Sequence, residues 1–484
     1  MQILVAAPRE TLVLLFLACV VLLAPVSAVA EPTQSTPNIL LIIADDMGYG
    51  DMSCMGSTIL KTPHLDALAG RGWLCTQGYV ASSVCAPSRA GLITGRHPVR
   101  IGFESNLAGR PDNPHTKADY LGLAPTERTL GDHLKHNGYR TGLVGKWHLG
   151  YEASHHPNKR GFDYFCGILE GHHGYFLEPG KGKFQRMGEP VTEFSSGYAT
   201  DFLTDEAVGF IDRESERDEP WFLYLSYTAP HTPMHALEED LAVYSHVQNP
   251  RRRAFCAMMH ALDRGIGRIS AKLEAQGELD NTLIVFISDN GGATPANEAW
   301  NGPLTGCKGT KAEGGIRVPF IVSWPARFPA GEIYTSPVSA LDLLPTFLAA
   351  CAGETLALTD GSGRNKKPRV YDGIDLVPFF ASGDPTPDRA LFWRLQGQTA
   401  LVLNGAEKLI RLSHKPAQLF DLATDLSEQN DLAAANPQRL RDLFQMIHDW
   451  ERSMPTYPHF YASPYWQGPS ADRYEQVGPR GEPK

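Results

Sequence analysis

Short, continuous apolar runs recur along the chain, and each closes on polar residues. Asn38 to Ala44 reads NILLIIA and ends in Asp45-Asp46. A non-alternating, β-branched run of this length predicts a strand buried on both faces, as at the centre of a parallel sheet. The same reading applies to 141–144, to WFLYLS at 221–226, to TLIVFI at 282–287 and to 320–323. Between these runs the apolar spacing changes to a helical period. It predicts helices over 62–71, 129–137, 198–212 and 255–276, the last with Phe255, Met258, Met259, Leu262, Ile266, Ile269 and Leu273 on one face. Strands alternating with helices predict a doubly wound α/β domain over 38–350, with a large, mixed but mostly parallel sheet flanked by helices.

Past 350 the texture changes. DGSGRNKK at 360–367 is a linker candidate. Short strands are predicted at 390–394, 399–403 and 408–412, with Asn404-Gly405 as a turn. A helix over 437–450 carries Leu440, Leu443, Phe444, Ile447 and Trp450 on one side. These make a small C-terminal antiparallel α+β subdomain over 370–455, followed by an extended tail over 456–484 rich in Pro, Tyr and Gly. At the other end, the apolar run 11–23 is too short to span a bilayer comfortably. It leads to Ala28-Val29-Ala30, a small-x-small cleavage pattern, so 1–30 reads as a secretory signal peptide cut after about Ala30. No second long apolar run follows. The expectation is an exported protein, periplasmic or extracellular, with no stable membrane insertion.

Composition narrows the partners. The chain has 54 Asp+Glu against 44 Lys+Arg, a net charge of −10. That balance argues against nucleic acid and against any polyanion held by bulk charge, so an anionic substrate would need a local basic cluster. Removing the signal leaves seven cysteines: Cys54, Cys75, Cys85, Cys166, Cys256, Cys307 and Cys351. In an oxidising compartment an odd number leaves at least one unpaired or modified. No C-x-x-C occurs, so a zinc ribbon is not supported.

In open α/β sheets, ligands bind at the carboxyl ends of the strands. The predicted strands deliver Asp45-Asp46, then Lys146 and His148 in GKWHLG, His231 in TAPHTP, and Asp289-Asn290 in SDNGG. Taken singly, an Asp at such a place is a cap or a turn. Together, three carboxylates and an amide carbonyl suit a hard cation such as Ca²⁺ or Mg²⁺. Arg89 and Lys308 lie in loops. With Lys146, His148, His231 and the cation they would form the electropositive hole that a sulfate or phosphate ester needs. Cys85-Ala86-Pro87-Ser88-Arg89 sets a thiol at a turn before a helix predicted over 88–94. A helix N-terminus and an arginine would favour a nucleophilic thiolate; a buried or disulfide-bonded cysteine is the alternative.

Ser83 to Gly95, SVCAPSRAGLITG, resembles the principal signature of the formylglycine-dependent (type I) sulfatases at every defined position. Gly138 to His148, GYRTGLVGKWH, resembles their second signature. Asp45-Asp46, Pro230-His231, Ser288-Asp289-Asn290-Gly291 and Lys308 with 313–319 follow in the family's order, so the resemblance runs from Asn38 to about Trp450. It implies an alkaline-phosphatase-like fold and the hydrolysis of a sulfate ester to an alcohol and inorganic sulfate. It further implies that a separate maturation enzyme oxidises Cys85 to Cα-formylglycine. One hydroxyl of the resulting gem-diol attacks sulfur, and the other later expels sulfate. By the same resemblance, Asp45, Asp46, Asp289 and Asn290, with the modified Cys85, bind calcium. Asp289 is also the base, and Arg89 holds the diol and supports the metal ligands. Lys146 and Lys308 bind sulfate oxygens, His231 protonates the leaving group and His148 assists elimination. One departure is Cys307 directly before Lys308, where glycine is common in relatives.

Residues outside that pocket would select the sugar or aryl group: Glu170, His172, His173, Tyr175 and Phe176, with His115 and His235. Each is equally a loop residue that merely packs. The expected substrate is a sulfated sugar or glycan, or an aryl sulfate. A phosphonate or phosphate monoester hydrolase with the same pocket, and a non-catalytic homologue that binds sulfated glycans, are the competing readings. A serine hydrolase lacks its G-x-S-x-G elbow. If Cys85 is converted, six thiols remain, an even set open to pairing.

Overall fold

Asn38–Ala44 runs through the middle of a ten-stranded sheet, paired in parallel with Trp221–Ser226 on one side and Thr282–Ser288 on the other. The computed structural model describes residues 36–107, 122–177, 182–353, 359–360, 367–413, 415–454 and 478–483. The signal-peptide segment, His115 and most of the linker and tail lie outside them. Across the sheet the order is Glu332–Tyr334, Trp73–Cys75, Phe320–Ser323, Thr282–Ser288, Asn38–Ala44, Trp221–Ser226, Arg140–Lys146, Tyr164–Ile168, Gln185–Arg186 and Glu189–Pro190. The five strands from Thr282–Ser288 to Tyr164–Ile168 are parallel, so their carboxyl ends share one edge.

The continuous apolar runs follow from burial on both faces. Ile39, Leu41 and Ile43 join a core with Leu344 and Phe347 of the helix Leu343–Ala350. Leu40 and Ile42 join the opposite core with Phe255 and Leu262 of the long helix Pro250–Ala275. Each such side chain removed from water stabilises the fold by about 1.5–3 kcal/mol. The long helix starts at Pro250 because the Asn249 side chain accepts from Arg251 N and Arg252 N.

Three expectations shift. Phe320–Ser323 is fully buried, as the pattern requires, but it pairs antiparallel to Thr282–Ser288. The segment between them holds only the short helices Thr294–Asn297 and Glu313–Ile316, not the crossover helix a parallel return needs. The strand expected at 141–144 extends over Arg140–Lys146, which makes Lys146 its last residue. The helix expected from Ser88 begins at Cys85.

The small C-terminal sheet is an antiparallel meander of Ala390–Leu395, Gln398–Leu403, Glu407–Arg411 and Gln418–Asp421. Asn404 and Gly405 both adopt positive φ, 54° and 69°, as a tight hairpin turn demands. One face packs Leu401, Leu409 and Leu419 on Leu443 and Ile447 of the helix Pro437–Arg452. The other packs Trp393, Ala400 and Phe420 on Tyr79 and Ile316 of the main body. Among the described residues no disulfide forms. Among them, too, no helix is long and apolar enough to cross a membrane.

Candidate active site

The parallel strand ends bring the polar residues together. Asp45 and Asp46 follow Asn38–Ala44, and Asp46 bends away with φ at 69°. Its amide donates to Asp289 Oδ1 at 3.2 Å, which ties the first strand's end to that of Thr282–Ser288. The helix Cys85–Thr94 points its first residue at this edge. Cys85 Sγ lies 3.8 Å from Asp45 Oδ1 and 4.0 Å from Asp46 Oδ1, and Lys308 Nζ donates to it at 3.0 Å.

Cations and carboxylates alternate around the cysteine. Lys146 Nζ donates to Asp45 Oδ2 at 2.6 Å, and Lys308 Nζ to Asp46 Oδ2 at 2.8 Å. One turn along the cysteine's helix, Arg89 donates through Nε to Asp289 Oδ2 at 2.9 Å and through its guanidinium to the Lys146 carbonyl and Ser226 Oγ. His231 Nε2 stands 3.5 Å from Asp46 Oδ2, while its Nδ1 faces Thr232 O at 2.7 Å. Asn290 Nδ2 donates to Asp46 Oδ1 at 2.7 Å, and its buried Oδ1 has no protein partner.

Burial shapes the charges. It pushes the Cys85 thiol up to about 12, more than Lys146 and Lys308 pull it down. Burial thus favours the neutral thiol in the unmodified side chain, while the Lys308 ammonium beside Sγ favours the thiolate. Burial and the neighbouring Asp289 raise Asp45 to about 7 against Lys146 and Arg89. Burial also opposes ionisation of Asp46, but Lys308, His231 and Lys146 outweigh it and hold that carboxyl below the usual range. Asp289 is likewise held low against burial by Arg89 and Lys146. Burial, with Lys308 and Lys146 nearby, lowers His231 to about 3 despite Asp46.

Residues 37–353 match the sulfatase family. The chain belongs to it. This sulfatase is a sulfuric ester hydrolase, with the fold its relatives share. It is 35% identical over 391 residues to N-acetylgalactosamine-6-sulfatase of Canis lupus familiaris, covering 77% of this chain and 71% of that protein. The crystal structure of Ps i-CgsB in complex with k-i-k-neocarrahexaose superposes with a TM-score of 0.79 at 36% identity, covering 88% of this chain and 95% of that one. Phosphonate monoester hydrolase of Agrobacterium radiobacter shares the fold at a TM-score of 0.63 and 20% identity, covering 88% and 96%.

The residues expected to choose the substrate separate into two groups. A cleft of about 380 Å³ is lined by His172, Phe176, Lys183, Pro233 and His235 among others. The ring of His172 stacks 6.1 Å from that of His231, so this cleft opens beside the charged cluster. Phe176 is 42% exposed there. His173 also lines the cleft but is largely buried, and Tyr175 turns inward. His173 Nε2 meets Thr228 Oγ1 at 3.1 Å, and Tyr175 OH donates to the carbonyls of Thr228 and His231. Glu170 is half-buried. His148 is buried at a φ of 59° and held neutral by burial, with Lys146 and Arg89 adding to the effect.

Sequence reasoning missed Ser226 and Asn297. Ser226 ends the WFLYLS strand and accepts from Arg89. Reading only the residues beyond each strand passes over it. Asn297 Nδ2 donates to Asp46 O at 3.1 Å and Pro230 O at 3.2 Å from a helix of one turn, which leaves no periodic signal.

Proposed function

We propose that this sulfatase removes a sulfate ester from a sulfated sugar, with Cys85 matured to Cα-formylglycine beside a hard divalent cation, calcium before magnesium. The observation that carries the reading is the position of Cys85. It starts a helix, under Lys308, within 4.0 Å of two carboxylates. Asp45, Asp46, Asp289 and Asn290 would hold the cation. The fit rests on donor chemistry: the Asn290 Oδ1 is buried and unclaimed, and the three carboxylates offer hard oxygen donors. When present, formylglycine supplies a hydrated aldehyde as nucleophile and the cation supplies a Lewis acid for the ester oxygens.

The chain's own residues do the rest. Arg89 anchors Asp289, the base for the nucleophile's proton, and ties it to the ends of two further strands. Lys146 and Lys308 meet the sulfate oxygens. His231 faces the leaving group. Burial favours its neutral imidazole, and a sulfate anion beside Nε2 would favour the protonated form it needs to donate. His148, two residues past Lys146, would assist the elimination step. The sugar lies in the cleft of His172, Phe176 and His235, where an aromatic face suits a pyranose ring.

The names of the compared proteins support sugar sulfates as the class: one is a sulfatase of N-acetylgalactosamine-6-sulfate and the other holds a carrahexaose. The apolar 11–23 segment supports export, and the modification requires a maturation partner. Two experiments test the reading together. Mass spectrometry of the Cys85 peptide from the native host is expected to show the aldehyde rather than the thiol. Profiling against sulfated saccharides, aryl sulfates and the matching phosphates is expected to favour a sulfated sugar. Wholly unmodified Cys85, or a dominant phosphatase rate, defeats it.

A further inference from the structure

A buried ion cluster lies where the C-terminal sheet meets the loop that carries Lys308. Lys408, on the strand Glu407–Arg411, is 0% exposed. Its Nζ lies 2.8 Å from Glu313 Oε1 and 2.7 Å from Glu428 Oε1. Tyr79 OH donates to Glu313 Oε2 at 2.8 Å, Arg317 Nη1 stands 3.4 Å from the same oxygen, and Glu313 N donates to Glu428 Oε2 at 2.8 Å. Two buried acids thus balance two buried bases. Ion clusters of this kind contribute little net stability over apolar packing, so they are weak evidence of a stabilising role.

What the cluster holds is specific. Glu313 opens the helix Glu313–Ile316. In that helix Gly314 N donates to Thr305 O at 2.7 Å, and Gly315 O accepts from Gly291 N, next to Asn290, at 3.1 Å. Lys308 sits in the turn between these anchors, with its own N on Gly292 O at 3.1 Å. The segment beside Glu428 grips the other end of the loop: Thr305 Oγ1 donates to Ser427 O, and Ser427 Oγ donates to Pro303 O. The loop 303–316 is therefore bracketed by three residues from one small sheet and its following turn.

We propose that Lys408 is a positioning residue: through Glu313 and Glu428 it fixes the loop 303–316 and so sets where the Lys308 ammonium stands over Asp46 and Cys85. This role rests on Lys308 as a sulfate ligand. Misplacing a catalytic contact by about 1 Å costs on the order of 10²-fold in rate.

The test is a double-mutant cycle on enzyme whose Cys85 conversion is first measured by mass spectrometry. It uses p-nitrophenyl sulfate or the sulfated sugar of the panel, whichever is turned over faster. The variants are Lys308→Ala, the charge-balanced pair Lys408→Met/Glu428→Gln, and all three together. In the parent the pair is expected to lower kcat/KM about 10- to 100-fold. Competitive inhibition by inorganic sulfate should weaken alongside. In the Lys308→Ala background the same pair is expected to cost less than about 3-fold, since the residue it acts through is gone. Equal losses in both backgrounds, or none in either, overturn the positioning role and leave Lys308 as assigned. A Lys308→Ala enzyme with parental kcat/KM overturns the role of Lys308 itself, and Lys408 with it. If the pair does not fold, Glu428→Gln alone keeps the Lys408–Glu313 contact and enters the same cycle.

Discussion

Cys85 is the residue on which the chemistry turns, and its surroundings say what it is not. Burial pushes its thiol up to about 12, which disfavours an ordinary thiolate nucleophile. Cys85→Ala is expected to bring sulfate release down to the uncatalysed background while thermal unfolding stays near the parent. Ser226 makes a subtler test. Its Oγ accepts from Arg89, so Ser226→Ala should lower activity about 10- to 100-fold, as loss of an outer support for metal ligands commonly does. Its KM is expected to change less than its kcat. Removing divalent cations with a chelator should abolish turnover, and calcium should restore it better than magnesium. Restoration by neither ion would exclude Asp45, Asp46, Asp289 and Asn290 as a cation site. These polar residues are legible in sequence because they close apolar runs. Ser226 and Asn297 are not, because a serine inside a strand and an asparagine in a single turn carry no pattern.

At the scale of elements, the strand ends must approach closely for the site to close. Gly145 precedes Lys146 with φ at 109°, and a Cβ there would lie 1.9 Å from Ser226 O. Gly145→Ala is therefore expected to destabilise the protein by about 3 kcal/mol, read as a lower urea midpoint at unchanged slope. The apolar runs located five of the buried strands to within two residues, since burial on both faces writes itself into every position; Tyr164–Ile168, with its polar and glycine positions, was passed over. Direction was less legible. Phe320–Ser323 looks like its parallel neighbours because packing on both faces is the same whichever way a strand runs. The start of the catalytic helix was set late for a similar reason: Pro87 fits the first turn of a helix as well as the turn before one.

Across the whole molecule, several buried imidazoles tie stability to pH. Burial lowers His97, His133 and His173 to about 4. His97 is fixed as the neutral form, with Nε2 donating to Phe392 O at 2.9 Å and Nδ1 accepting from Val99 N at 3.2 Å. It joins the main body to the C-terminal sheet. In the unfolded chain each ring takes up a proton near pH 6.5, whereas the folded protein resists until about 4. Stability is therefore full above about 6.5 and is lost as the pH falls toward 4, with the His97 share on the order of 3 kcal/mol. Urea midpoints measured from pH 7.5 to 4.5 should fall for the parent and fall less steeply for His97→Asn; parallel slopes would reject this account. The small sheet was readable from its turn and strand spacing, but its hold on the main body through Lys408 and His97 was not, since those contacts pair residues far apart in the chain. The central strand carries a consequence for time. Asn38–Ala44 is made early, yet its neighbours end at Ser226 and Ser288. At roughly 5–20 residues per second, synthesis leaves that apolar strand without its second partner for roughly 12–50 seconds. The chain is slow to become itself, and whatever accompanies it during that interval must shield this apolar strand.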